Sequence, residues 1–221
     1  MAFLGFSIGP GVLYRADLQM YPSLLVGFQD KAWKNEDKSS HCFGFLLKGK
    51  IFIRRPDGTE QPVFEKQYFS VPGEFSLEGK GEAVIFQRLG YRGFFSIGGP
   101  IESAGRLCYI DHSRTSLLVS PPRNGDPCLN LLTFPPHIEQ TPHIHPSLRL
   151  GLVVAGSGEC LVNQKERIPL EPGMAFAIEE GTVHCFHSGK EGLSVIAFHP
   201  DSEGGPTDFS HPMLNRTYIQ K

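Results

Sequence analysis

Apolar residues along the chain fall in short runs, and nearly every run is bounded by glycine, proline, aspartate or asparagine. Residues 43–53 (FGFLLKGKIFI) are rich in aromatic and β-branched side chains, and Asp57 and Gly58 follow as a hairpin-turn signal. Similar runs occupy 63–71, 83–87, 116–120, 129–134, 150–154, 159–162, 174–178, 182–186 and 193–198. No segment carries a long apolar stripe of helical period. Many short strands at regular spacing predict an all-β chain folded as a sandwich or barrel.

The runs also repeat. Residues 44–53 (GFLLKGKIFI) resemble 151–162 (GLVVAGSGECLV), 71–75 (VPGEF) resemble 171–176 (EPGMAF), and 83–87 (AVIFQ) resemble 194–198 (SVIAF). Three matches in one order predict two copies of a β unit, 1–105 and 106–221, that differ in loop length.

Composition narrows the function classes. The 221 residues include 25 glycines and 18 prolines, dispersed as expected for turns between strands. A net charge of -2 lacks the basic face of a nucleic-acid binder. No apolar run approaches the roughly 18 residues of a membrane span, and the N-terminus lacks a signal-peptide pattern. Five cysteines, odd in number and without a CxxC, read as reduced thiols in a cytoplasmic protein. Cys160 and Cys185 have no basic partner in the sequence and read as packing residues.

Seven of the nine histidines lie between 137 and 211. The centre is Pro142, His143, Ile144 and His145. Residues two apart on a strand face one side, so His143 and His145 can present two imidazoles to one ion. His184, delivered by the turn at Glu180 and Gly181, is the candidate third ligand. Neutral imidazole suits Fe, Zn, Ni, Cu and Mn.

The pair His143 and His145, followed by Gly173, Glu179, Gly181 and His184 at their spacing, resembles the two metal-binding motifs of the cupin superfamily. The usual first motif places a Glu three or four residues after HxH and then a Gly. Here Arg149 fills the Glu position and Gly156 is the Gly. The usual second motif has Pro where this chain has Glu179 and Asn where it has Ser188. The resemblance covers 125–200 well, and 27–95 looks like a degenerate copy. It implies a bicupin of the bacterial type: two jelly-roll β-barrels, the second holding a divalent transition metal, with Fe(II) favoured over Zn, Ni or Mn. Aligning Gly44 with Gly151 sets Glu36 and Lys38 opposite the HxH histidines, so the first barrel is expected to lack a metal.

Arg149 shares strand parity with His143 and His145. It either clamps an anionic substrate group or pairs with an acid such as Glu139 or Glu159. Glu139 has the same parity and is a candidate fourth ligand or proton-transfer group, as is His199 at the barrel mouth for proton transfer. Phe176 and Phe186 are expected to face the lumen. His187 is expected to point outward, His137 to lie at the rim, and His41 to be structural. His112 has no identifiable partner. The tail 208–216 is expected to wrap onto a barrel or a partner chain. Three histidines without a carboxylate resemble the thiol- and diketone-type cupin dioxygenases. The expected function is a dioxygenase-type oxidoreductase acting on a small anionic molecule, as a cytoplasmic homodimer. A non-catalytic ligand-binding sensor, or an isomerase, epimerase or cyclase, remains open on the residues alone.

Overall fold

The structure is a computed structural model, and it describes residues 2–16 and 20–201. The tail 208–216 lies outside the described residues. The strands are β1 (Phe3–Ser7), β2 (Gly11–Ala16), β3 (Ser23–Gln29), β4 (Trp33–Asn35), β5 (His41–Arg54), β6 (Glu60–Phe64), β7 (Tyr68–Pro72) and β8 (Phe75–Arg88). There follow β9 (Ser96–Gly98), β10 (Leu107–Cys108), β11 (Arg114–Val119), β12 (Cys128–Phe134), β13 (Arg149–Val162), β14 (Glu166–Leu170), β15 (Met174–Ile178) and β16 (His184–His199). One 3-10 turn, Ile110–His112, is the only helical element among the described residues.

The all-β expectation holds. Strands β2 to β9 form one eight-stranded sheet, and β1 with β10 to β16 forms the other. Each sheet closes on itself as a jelly-roll barrel. The first strand crosses over: Phe3–Ser7 pairs antiparallel with β15 of the second sheet. The runs 150–154 and 159–162 are one strand, β13, and 182–186 and 193–198 both fall largely within β16. The glycines between these runs sit at β-bulges in the β13–β16 ladder, which bend the strands without ending them.

Three apolar cores explain why the longest strands read as nearly continuous hydrophobic runs. One core fills the first barrel around Leu46, Ile51 and Phe69. Another fills the second around Val153, Cys160 and Phe176. The third lies between the barrels, where Phe43, Phe45 and Phe86 meet Leu150, Leu152 and Phe198. Phe86 and Phe198 stack across it with centroids 5.5 Å apart. Strands β5 and β13 are therefore buried on both faces over much of their length, a condition that selects apolar residues at successive positions.

The two barrels superpose in their ladders more closely than their sequences suggest. Gly44 pairs with Phe69 in the first barrel as Gly151 pairs with Phe176 in the second. In both, a Cβ on the glycine would overlap the phenylalanine ring, so glycine is required for the ring to lie flat against the strand. Gly151→Ala is expected to displace Phe176 and to destabilise the protein by about 1–3 kcal/mol. Urea unfolding reads this directly; an unchanged midpoint would refute the packing argument.

The ladders also correct part of the sequence repeat. The Pro-Gly match of 72–73 with 172–173 is not structural, since Gly173 precedes β15 while Gly73 follows β7. The backbone equivalent of Gly173 is Lys66: Gly173 N–H donates to Val153 C=O at 2.9 Å, and Lys66 N–H to Leu46 C=O at 2.8 Å. Gly73 matches Gly181 instead, with N–H donating to Ser40 C=O and to His145 C=O.

Candidate metal centre

The two histidine segments are brought together by a single bridge. His143 and His184 exchange both backbone hydrogen bonds at 3.0 Å. His184 opens β16, whereas 139–148 is extended but irregular, with isolated bridges in place of a ladder. One ligand atom from each of His143, His145 and His184 lies within 4.8 Å of the others. The ring centroids of His143 lie 5.0 Å from His145 and 4.7 Å from His184.

The tautomers suit a metal. His143 Nδ1 lies 2.9 Å from the Thr141 carbonyl, and His184 Nδ1 lies 2.8 Å from the Thr182 carbonyl. A carbonyl only accepts, so Nδ1 carries the proton in both rings and Nε2 keeps its lone pair. This is the usual outer support of a metal-ligating histidine. Burial, then the Arg149 charge, pushes His145 down to about 2. Burial pushes His184 down to about 4. Both rings are thus neutral at pH 7, the form a cation needs. The donor set, three imidazoles and no carboxylate, fits a divalent transition ion.

A cavity of about 160 Å³ adjoins the three rings. Phe176, Phe186, Ile178 and Leu132 line it with apolar surface; Asn130, Gln140 and His199 add polar groups. Arg149 begins β13 and reaches the cavity while its side chain is almost wholly buried. Its Nη1 donates to the Leu148 carbonyl at 2.9 Å and to the Ser147 carbonyl and hydroxyl, and lies 3.5 Å from Asp201. The acid beside Arg149 is therefore Asp201, and neither Glu139 nor Glu159. Its Nε is buried with no hydrogen-bond partner. An unsatisfied charged donor of this kind costs free energy unless a ligand meets it. His199 ends β16 inside the cavity, 6.2 Å from His145 by ring centroids, and burial followed by the Arg149 charge lowers it to about 3.

Glu139 lies elsewhere. It is exposed and bridges His187 on the outer face, beside Glu159 and Arg167. Gln140 takes the inward position, its N–H donating to the Phe186 carbonyl at 3.1 Å and its Oε1 accepting the Phe186 N–H at 3.2 Å. Strand parity does not carry across 139–148 because that segment is not a regular strand. His187 does face outward, with Nδ1 3.6 Å from Glu159. His137 and His112 are exposed. Tyr109, Asn130 and Asp201 carried no signal in the sequence, because their place follows from strand pairing and chain reversal.

In the first barrel the ladder places Trp33 against Leu77 as His143 lies against His184. Trp33, Asn35 and Leu77 thus take the inward positions at which the second barrel has its three histidines, while Glu36 and Lys38, expected opposite the HxH pair, are exposed. Lys34 Nζ pairs with Glu36 at 3.1 Å. His41 is fully buried away from that position: Gly93 N–H donates to its Nδ1 at 2.9 Å, so Nε2 carries the proton toward Ser70 Oγ at 2.6 Å. Burial, then the Arg92 charge, lowers His41 to about 4.

A β-barrel with three convergent histidines defines a metal-capable class of protein, and the comparisons show what it is similar to. The cupin domain model matches residues 130–199, which span the centre. Solved structures of similar fold cover most of the chain. A cupin 2 conserved barrel domain protein from Leptotrichia buccalis is 14% identical, with a TM-score of 0.63 over 89% of this chain and 88% of its own. Protein Ylba from E. coli is 13% identical, with a TM-score of 0.64 over 93% of each chain. A mutant of salicylate 1,2-dioxygenase from Pseudoaminobacter salicylatoxidans, in complex with gentisate, is 11% identical, with a TM-score of 0.59 over 80% of this chain and 67% of its own. Residues 130–199 thus match the cupin domain model, and most of the chain is similar in fold to solved cupin-type structures. No curated protein matches it in sequence. No helix among the described residues is long and apolar enough to cross a membrane.

Proposed function

We propose that this cupin is a metal-dependent, dioxygenase-type oxidoreductase acting on a small anionic organic molecule. The observation that carries the reading is the convergence of His143, His145 and His184 beside a cavity into which the buried Arg149 also reaches. His143, His145 and His184 would hold the ion, with Fe(II) the first choice. Bound there, iron supplies Lewis acidity and access to O2. Arg149, which lines the cavity, orients a carboxylate or phosphate with its guanidinium. Phe176 and Phe186 keep water from the reacting groups. His199, kept neutral at pH 7 by burial and the Arg149 charge, hydrogen-bonds the substrate through an imidazole nitrogen and stands nearest for proton transfer. A cavity of about 160 Å³ is close to one that holds a single six-membered ring. The dioxygenase neighbour supports the fold of such a site, and its gentisate is a small carboxylate.

In this reading 1–105 and 106–221 are the two working units, strand β1 being lent to the second, and the protein is a cytoplasmic homodimer. The test is metal analysis of tag-free protein by mass spectrometry, followed by O2 uptake with small carboxylates. About one transition-metal ion per chain is expected, with O2 uptake on at least one carboxylate. Arg149→Lys should raise KM about tenfold or more with a smaller change in kcat, since a point charge replaces a planar fork. Failure to take up metal even on reconstitution overturns the reading. Metal without O2 uptake points to an isomerase, a cyclase or a ligand sensor instead.

A further inference from the structure

The approach to the metal centre is made by a segment from outside the histidine strands. Strand β10 is a two-residue edge strand and leads into the 3-10 turn Ile110–His112. Tyr109 lines the cavity from this segment, although 38% of its surface is exposed. The segment closes on itself, with Tyr109 N–H donating to the Ser113 carbonyl at 2.9 Å and Ser113 N–H to the Ile110 carbonyl at 3.1 Å. Its tip is strained. Asp111 and His112 have φ of 52° and 64°, a left-handed conformation that two successive non-glycine residues hold only when something fixes them.

What fixes them is Thr141. The Asp111 carboxylate accepts the Thr141 N–H at 2.6 Å on Oδ2 and its hydroxyl at 3.2 Å on Oδ1. The Thr141 carbonyl in turn accepts the proton of His143 Nδ1 at 2.9 Å. One residue thus joins the cavity-covering segment to the ring that offers Nε2 to the metal. Gln140 and His143 on either side are bonded to Phe186 and His184, and the Asp111 carboxylate is what holds Thr141 itself between them.

We propose that Asp111 is a positioning residue that latches the Tyr109 segment to the loop aiming His143, so that metal capture and closure of the cavity are coupled through Thr141. The inference rests on the three-histidine reading above. Because coupling of two equilibria is reciprocal, an ion that orders His143 also orders the segment, and an ordered segment tightens the ion.

The probe is Zn(II), with binding followed by calorimetry on metal-free protein. Asp111→Gly removes the carboxylate and relieves the left-handed strain, so it tests the latch without adding a steric fault. Asp111→Asn keeps one acceptor in a residue that tolerates this φ. Asp111→Gly should weaken Zn(II) binding about 10- to 100-fold, the usual effect of losing an outer support, and Asp111→Asn should recover most of it. The second readout is a fluorophore on Cys108, the exposed cysteine beside Tyr109; the other four are buried. Its anisotropy should rise with Zn(II) in the wild type and stay flat in Asp111→Gly. Circular dichroism confirms that the variants fold. Zn(II) affinity in Asp111→Gly within twofold of wild type overturns the proposal alone. So does a wild-type probe that Zn(II) leaves unmoved. A wild type that binds no Zn(II) overturns the three-histidine reading and the latch with it.

Discussion

The double substitution His143→Ala with His184→Ala is expected to abolish metal binding. Both rings present Nε2 from opposite sides of one bridge, and each is oriented by a carbonyl two residues earlier. Removing them leaves His145 as the single remaining imidazole of the trio. A lone imidazole on a folded surface holds a divalent ion only weakly, so the affinity should fall by at least about a thousandfold, from a site for which three ligands are the norm. Metal content after dialysis, measured beside the wild type, reads the result. The core strands around the centre carry their own packing, so the variant should remain folded. A double variant that keeps its metal would place the ion elsewhere.

The metal-free protein is expected to unfold in mild acid. Four histidines, two buried and two half-buried, have lowered values: His41 and His184 about 4, His199 about 3 and His145 about 2. The ordinary value is about 6.5. Between that value and each folded one, the unfolded chain binds a proton that the folded chain refuses. Stability is therefore full above pH 6.5 and declines as pH falls through the window toward 4. Each group contributes up to about 1.4 kcal/mol per pH unit, and because His145, His184 and His199 face one another their effects overlap, leaving a loss on the order of 5 kcal/mol by pH 5. That is comparable to the whole stability of an ordinary domain. Urea midpoints measured from pH 7.5 to 5 should drop steeply, and saturating Zn(II) should flatten the curve by holding the metal-site rings unprotonated. His41→Asn, which can still accept from Gly93 and donate to Ser70, should remove about a quarter of the slope. A midpoint independent of pH over this range would show that the rings titrate normally.

Much of the site was legible from residue spacing. His143, His145 and His184 were found because HxH and the later Gly181 to His184 spacing are local patterns that survive any detail of packing. Phe176 and Phe186 followed from alternation along true strands. Glu139 went astray for the complementary reason. Alternation was extended through 139–148, where the backbone holds only isolated bridges, and Gln140 faces the cavity instead. The first-barrel counterparts shift by three residues: Gly44 and Gly151 are true ladder equivalents, but the chain leading into Gly44 is longer, so Trp33 and Asn35 face inward in place of Glu36 and Lys38.

By itself, then, the order of residues determined the all-β class, the duplicated strand plan and the three imidazoles, because each depends on short-range periodicity and on turn chemistry. Tertiary structure alone decided the rest. The exchange of β1 onto β15, the pairing of Arg149 with Asp201 and the arrival of Tyr109 at the cavity join residues far apart in the chain. The latch from Asp111 through Thr141 to His143 is of the same kind. Such contacts depend on how sheets curl and where loops cross, and no local pattern encodes them. The surroundings that keep His145 and His184 neutral are equally a property of the packed barrel, and that neutral form is what a metal needs.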